Sequence, residues 1–337
     1  MRLDRWFRTH FPALGFGHLQ KLIRSGQVRV DGGRAKTSTR LEPGQSVRVP
    51  PLAPEFAGKD GGRVPTPARN GPAGEGPRGS AAPASPVKGQ TDAQALRAMT
   101  IYEDDEVLVL NKPWGLAVQG GSGLTRHIDG MLGALTDRKG QRPRLVHRLD
   151  RDTSGVLVVA KTRLAAQKLT AAFRHRATRK IYWALVKGVP KPKQGRISTW
   201  LAREESEERM KVARHGSDDA SHAVSLYSVV ETAGQKLAWL SMRPVTGRTH
   251  QLRAHAAHIG HPILGDPKYF TAEESWDFPG GIQKRLHLHA RRIVIPHPNG
   301  GTLDVSAPLP PHMQQSWNLL GLDASRGDRA DETAEEE

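Results

Sequence analysis

The chain has 337 residues, 50 Lys and Arg against 34 Asp and Glu, a formal charge of +16 and no cysteine. These figures exclude a disulfide scaffold, a thiolate nucleophile and a cysteine-ligated zinc. Such a surplus of cations points to a polyanionic partner, most often nucleic acid.

The first 50 residues carry 10 Lys and Arg against 3 Asp and Glu. Leu3, Trp6 and Phe7 fall at helical spacing, and Leu19, Leu22 and Ile23 repeat the pattern before Gly26. Val28 and Val30 then alternate as a strand into an Asp31-Gly32 turn, and Val47 and Val49 form a last strand. Arg5, Arg8, Lys21, Arg24 and Arg29 lie between these apolar positions and are the candidate phosphate contacts of this unit. The next 40 positions hold 8 Pro and 8 Gly, a composition that cannot build a core, so residues 51–98 are expected to be a flexible linker.

From residue 99 to 322 the pattern is that of a larger domain. Strands are expected at Val107–Leu110, Val156–Ala160, Ile181–Val186, Val224–Val230, Leu237–Met242, Arg292–Ile295 and Leu303–Val305. Helical spacing appears at Leu164–Arg174 and Leu252–His258. Strands in clusters with intervening helices give an α+β class, with strand order unreadable. Residues 323–337 hold seven acids, two arginines and no apolar period, and are expected to be disordered and dispensable. The longest purely apolar run, Val156 to Ala160, cannot cross a bilayer. The opening MRLDRWFRTH lacks the apolar centre of a signal peptide, so a cytoplasmic protein is expected.

One segment concentrates chemistry. Residues 147–155 read HRLDRDTSG and run into the apolar strand, which sets charged loop side chains at the edge of a rigid sheet. Arg148 and Arg151 flank Asp150 and would favour its ionised form. Taken alone, this could be a salt-bridged turn that caps a strand.

Resemblance decides the reading. The string GHLQKLIRSGQVRVDG (residues 17–32) resembles the S4 RNA-binding domain, of αL-like build, over residues 1–50. HRLDRDTSG resembles the signature of the RluA family of RNA pseudouridine synthases. Three further segments follow that family's order: IYEDDEVLVLNKPWGLAVQGGSG (101–123), RKIYWALVKG (179–188) and TGRTHQLRAH (246–255) with GHPILGD (260–266). The resemblance implies a pseudouridine synthase fold with a large mixed, mainly antiparallel sheet over residues 99–322. It implies Asp150 as the catalytic residue, Tyr182 held against the target base and Arg253 paired with Asp150. Arg148 would enter the RNA at the vacated position, and Arg248 and His250 would contact RNA. Lys112, Pro113 and Gly115 would shape the active-site turn. Asp152 is the lesser carboxylate, expected to hold the turn.

Such a reaction breaks the N1–C1′ bond of uridine, turns the base and rejoins it through C5, so neither cofactor nor metal is expected. His250, His255, His258 and His261, with His287 and His289, have some helical metal-ligand spacing, but that motif is weak. The S4 resemblance together with Gly120–Gly123 points to the branch that modifies 23S rRNA of the large ribosomal subunit, ahead of the other S4-bearing ribosomal branch and of tRNA. A monomer is expected. The rival classes are a non-catalytic RNA-binding or ribosome-assembly factor, a metal-dependent nuclease using the histidines, and an RNA N-glycosylase using the same aspartate.

Overall fold

The structure, a computed structural model, describes residues 3–11, 19, 22–23, 27–31, 33–37, 39–42, 45–49, 91–121, 124–175, 177–204, 209–217, 219–270 and 280–333. The chain divides into two compact units, residues 1–78 and 79–337.

In the first unit, helix α1 (Leu3–His10) buries Leu3 and Phe7 one turn apart. They close a small core with Leu19, Leu22, Ile23, Val28 and Leu41. Strands β1 (Arg29–Val30), β2 (Gly33–Arg34) and β3 (Val47–Arg48) form an antiparallel sheet in the order β2-β1-β3. Asp31 sits at φ 48° in the hairpin turn, a left-handed position that aspartate tolerates better than most residues.

The second unit opens with α2 (Asp92–Met99), β4 (Thr100–Glu103), β5 (Val107–Lys112) and the short α3 (Ile128–Met131). Next come β6 (Arg144–Leu145), β7 (Ser154–Ala160), α4 (Arg163–Arg174) and β8 (Arg179–Lys187). A long run of strands follows: β9 (Gln194–Glu204), β10 (Arg209–Ala213), β11 (Ser221–Ala233) and β12 (Leu237–Pro244). The unit closes with α5 (Gln251–His258), β13 (Leu288–Pro296), β14 (Thr302–Ser306), α6 (Pro311–Leu320) and α7 (Ala324–Thr333).

Eleven strands make one mixed sheet in the order β10-β9-β11-β12-β8-β13-β7-β5-β4, with β14 on β13 and β6 on β7. The β13–β7 pair is parallel; the other named pairs are antiparallel. Strands alternate their side chains between two covered faces. On β7, Leu157 and Val159 join a core with Leu96, Met99 and Met131, while Val156 and Val158 join one with Leu169 and Ile293. On β8, Tyr182, Ala184 and Val186 face the side that carries α5, and Ile181, Trp183 and Leu185 face α6. Burial on both faces explains why β7 reads as an unbroken apolar run.

The unit starts earlier than residue 99. Thr91 and Gln94 form a reciprocal capping box, and Ala95, Leu96 and Met99 are buried, so the linker expected through residue 98 gives way to helix by Asp92. The acidic tail differs as well. Residues 324–333 form α7, not a disordered segment. Asp331 accepts from Trp183 Nε1 (3.0 Å) and Ser241 Oγ (2.5 Å). Asp328 takes Arg291 in a fork, and Arg326 pairs with Glu231 at 2.9 Å. Gly327 lies against Trp239 and Trp183, where any Cβ would collide. Asp328 and Asp331 are thus committed to partners on the sheet, which local charge patterning does not reveal. Among the described residues, no helix is long and apolar enough to cross a membrane.

Candidate active site

The β6–β7 loop carries Asp150, and several contacts fix it. Leu149 is buried in the core beneath the loop. His147 Nε2 accepts from Val158 N at 2.8 Å, and Thr153 N donates to Asp150 O at 3.2 Å. Lys112, fully buried, donates from Nζ to the carbonyls of Arg151 (2.9 Å), Leu116 (2.8 Å) and Pro113 (3.0 Å). Burial pushes the Lys112 ammonium down to about 7. Three carbonyls match the three protons of the cation, whereas a neutral amine would leave one unserved, so the charged form fits the cage. Gly115, at φ 83°, donates its N–H to Arg151 O at 3.0 Å. The Lys112-Pro113-Trp114-Gly115 turn therefore grips the residue next to Asp150. Gly155, at φ 109°, lets β7 approach β13 so closely that a Cβ would run into the Ala290 carbonyl.

The cations around Asp150 are not the ones flanking it in sequence. Arg151 pairs with Asp152 (3.2 Å) and Arg148 is exposed. Instead, α5 brings Arg253 Nη1 to 3.7 Å and His250 Nε2 to 3.9 Å from Asp150 Oδ2. Arg253 is buried, and its principal partner is Asp266: Nε and Nη2 each make a 2.7 Å bond in a bidentate fork. Burial opposes the charge of Arg253, but those bonds outweigh it and hold the group more firmly protonated. The expected Arg253–Asp150 pairing is thus a loose contact, and Asp266 was missed as a site residue. Its signal was present, since Asp266 ends the GHPILGD segment without an assigned role.

Tyr269 completes this wall. The Arg253 guanidinium lies 5.2 Å from its ring centroid, and its hydroxyl donates to Met210 O (3.0 Å), accepts from Met210 N (2.7 Å) and lies 3.4 Å from His250 Nδ1. Burial pushes the Tyr269 phenol up to about 12. His250 occupies the position before α5 at φ 50°, ψ 18°, a left-handed conformation uncommon for a residue other than glycine. Burial depresses its pKa, with Arg253 adding to the effect and Asp150 opposing it. On β8, burial and the Asp150 charge both raise the Tyr182 phenol, keeping it neutral.

Asp150, Arg253 and His250 thus meet at one seam of the sheet, and Tyr182 packs against the core cluster that holds Leu149 beside them. Arg248 is exposed, its Nε donating to His222 O at 3.2 Å. In the separate N-terminal unit, Arg5 is exposed and Arg29 half-buried on β1. Lys21, Arg24 and the side chain of Arg8 lie outside the described residues, as do Ser122 and Gly123 of the Gly120–Gly123 segment. Of the other histidines in the cluster, His258 is exposed and His261 bonds Lys187 O at 2.8 Å. His255 bonds Ser225 and Thr199, His287 bonds Arg285 O and Ser316, and His289 bonds Ser154 and Ala307 O. No group of three His, Cys, Asp or Glu among the described residues is arranged to hold a metal.

Asp150, on a clamped loop against the buried Arg253, is thus a carboxylate placed to react with a bound substrate. The family model described as RNA pseudouridylate synthase matches residues 106–258, and the S4 domain model matches residues 1–47. "Ribosomal large subunit pseudouridine synthase C" of Vibrio cholerae is 34% identical over 326 residues, covering 95% of this chain and 93% of that protein. "RNA pseudouridine synthase 4, mitochondrial" of Arabidopsis thaliana is 37% identical over 285 residues, covering 66% of this chain and 60% of the relative. The solved structure "Human RNA Pseudouridylate Synthase Domain Containing 4" superposes with a TM-score of 0.58 at 30% identity, covering 68% of this chain and 96% of that one. The chain belongs to the RNA pseudouridine synthase family, and is an isomerase acting on RNA.

Proposed function

We propose that this protein converts uridines of the large-subunit ribosomal RNA to pseudouridine, with Asp150 as the reacting carboxylate. The supporting observation is the Asp150 carboxylate, held 3.7 Å from Arg253 on a clamped loop whose Leu149 lies in the cluster that Tyr182 packs against. The names of several relatives, and the N-terminal S4 match, support rRNA over tRNA. A single reacting carboxylate suits isomerisation better than hydrolysis, for which a retaining glycosidase normally uses two.

The proposed division of labour follows from position. Arg148, exposed on the loop beside Asp150, enters the RNA where the target base has left its stack. Tyr182, neutral and packed into the sheet, holds the base by its ring. Asp150 acts on the ribose, either by attack at C1′ or by removal of a ribose proton. Arg253 orients it from a position fixed by Asp266. Water must be kept from the detached sugar, or the outcome is base loss. Phosphate contacts from both units make binding weaken with salt. The protein acts as a monomer in the cytoplasm.

The test is to treat protein-free large-subunit rRNA and bulk tRNA with the enzyme and map pseudouridines by carbodiimide-block primer extension. Discrete stops in the rRNA and none in tRNA are expected; stops confined to tRNA would overturn the substrate assignment. Release of free uracil would instead identify the N-glycosylase reading.

A further inference from the structure

Strand β9 has two unlike faces. Thr199 and Leu201 point to α5, where Thr199 Oγ1 bonds His255 Nε2 and Leu201 packs with Ala254 and Tyr269. The opposite face carries Arg196, Ser198 and Trp200 by strand alternation. Trp200 is half-buried, and two exposed imidazoles rest on it: His215 at 4.7 Å between centroids and 80°, and His222 at 5.3 Å and 44°. His222 stands directly opposite Trp200 in the β11–β9 register, and its other contact is Ser198 Oγ at 3.0 Å.

Several cations lie around this triad. Arg196 and Arg214 are exposed, and Lys211 projects on the Trp200 face opposite Ala202. Among the described residues, Glu204 is shared by Arg209 at 2.6 Å and Lys211 at 4.0 Å, and Asp219 is the exposed acid of the turn that follows His215. The patch also connects to the seam. Arg248 donates to the His222 carbonyl, and two residues further on His250 lies 3.9 Å from Asp150. A large π surface ringed by cations suits an unpaired nucleobase with its phosphates. An apolar protein partner would not match so many cations.

We infer that Trp200, with His215 and His222, is a stacking platform for an unpaired base of the substrate RNA beside the target uridine. The inference rests on the RNA-modifying reading and extends it to how flanking sequence is held. A base slides against the indole, displacing the edge contact of His215, while Arg196 and Arg248 meet the adjoining phosphates. Stacking tolerates any base, so the platform anchors the strand without reading its sequence.

The test uses the full chain carrying Asp150→Ala and large-subunit rRNA containing 4-thiouridine, irradiated and mapped by peptide mass spectrometry. Adducts at Trp200, His215 or His222 are expected; adducts elsewhere on the catalytic unit with none at this triad would overturn the platform. In parallel, Trp200→Ala should raise Kd for the rRNA about 5- to 150-fold, the range of one lost base stack, with kcat unchanged and Trp200→Phe near wild type. An unchanged Kd in Trp200→Ala, or equal losses in the Ala and Phe variants, would also overturn it. Should Trp200→Ala fail to fold, the adduct map decides. Tritium release from C5-labelled rRNA without triad adducts sinks the platform alone; triad adducts without release sink the catalytic reading alone.

Discussion

Replacing Asp266 by Asn tests the arrangement of the site through stability. The Arg253 and Asp266 side chains are 3% and 0% exposed and share two 2.7 Å bonds. Removing one partner of a buried pair costs about 3–5 kcal/mol, because the other charge is left desolvated. Asp150, 3.7 Å from Arg253, can take up part of the freed guanidinium, which favours the lower end of that range. Asparagine retains an acceptor for the Lys268 and Tyr269 amides, which Asp266 Oδ1 now serves at 2.9 and 3.2 Å. At 2–4 °C per kcal/mol for a unit of this size, a loss of about 3 kcal/mol lowers Tm by roughly 6–12 °C. Asp150→Asn should behave differently. Its carboxylate is 20% exposed and its contact to Arg253 is long, so the loss should stay within about 1 kcal/mol. Thermal unfolding of both full-length variants at pH 7, followed by far-ultraviolet circular dichroism, compares them. Equal destabilisation, or an unchanged Asp266→Asn, would refute the assignment of Asp266 as the main partner of Arg253.

Acid should destabilise the protein early. Burial depresses His147 and His289 to about 3 and His255, His287 and His312 to about 4. Unfolding lets these rings take up protons below about pH 6.5, so the unfolded state binds more protons and stability falls as pH falls from 6.5 toward 4. Each ring contributes up to about 1.4 kcal/mol per pH unit in that window. Urea midpoints should drop steeply between pH 6.5 and 5, and a flat profile would contradict neutral burial. Deleting residues 324–337 should lower Tm by several degrees, because it uncovers Trp183 and Trp239 and strands Arg291; a Tm equal to wild type would mean that α7 contributes nothing. Deleting residues 1–50 should weaken rRNA binding while sparing turnover on a saturating short substrate, as read by filter binding and single-turnover rates; unchanged affinity would remove the RNA role of that unit.

What the sequence revealed was what local pattern can carry. The apolar run at Val156–Ala160 and the near-continuous apolar segment at Ile181–Val186 are legible because both faces of those strands are covered. Strand β9, with Arg196, Ser198 and Arg203 exposed, lacks that pattern and was not anticipated. The start of α2 was missed although Thr91 and Gln94 spell its cap, because the Pro and Gly stretch before it masked the boundary. Helix α7 was misread because its acids find partners about 40 to 150 residues away, a long-range match that no window detects. At the site, motif order singled out Asp150, Tyr182 and Arg253 as candidates, while charge adjacency in sequence misled. Arg151 turns to Asp152, and the groups facing Asp150 arrive from a helix about 100 residues later.

The most direct measurement is tritium release from large-subunit rRNA labelled at uridine C5, comparing the wild-type chain with Asp150→Ala. Release by wild type, abolished in Asp150→Ala while that variant still binds the RNA, is the predicted result. Undiminished release by Asp150→Ala would remove Asp150 from the chemistry, and no release by wild type would contradict the proposed rRNA substrate.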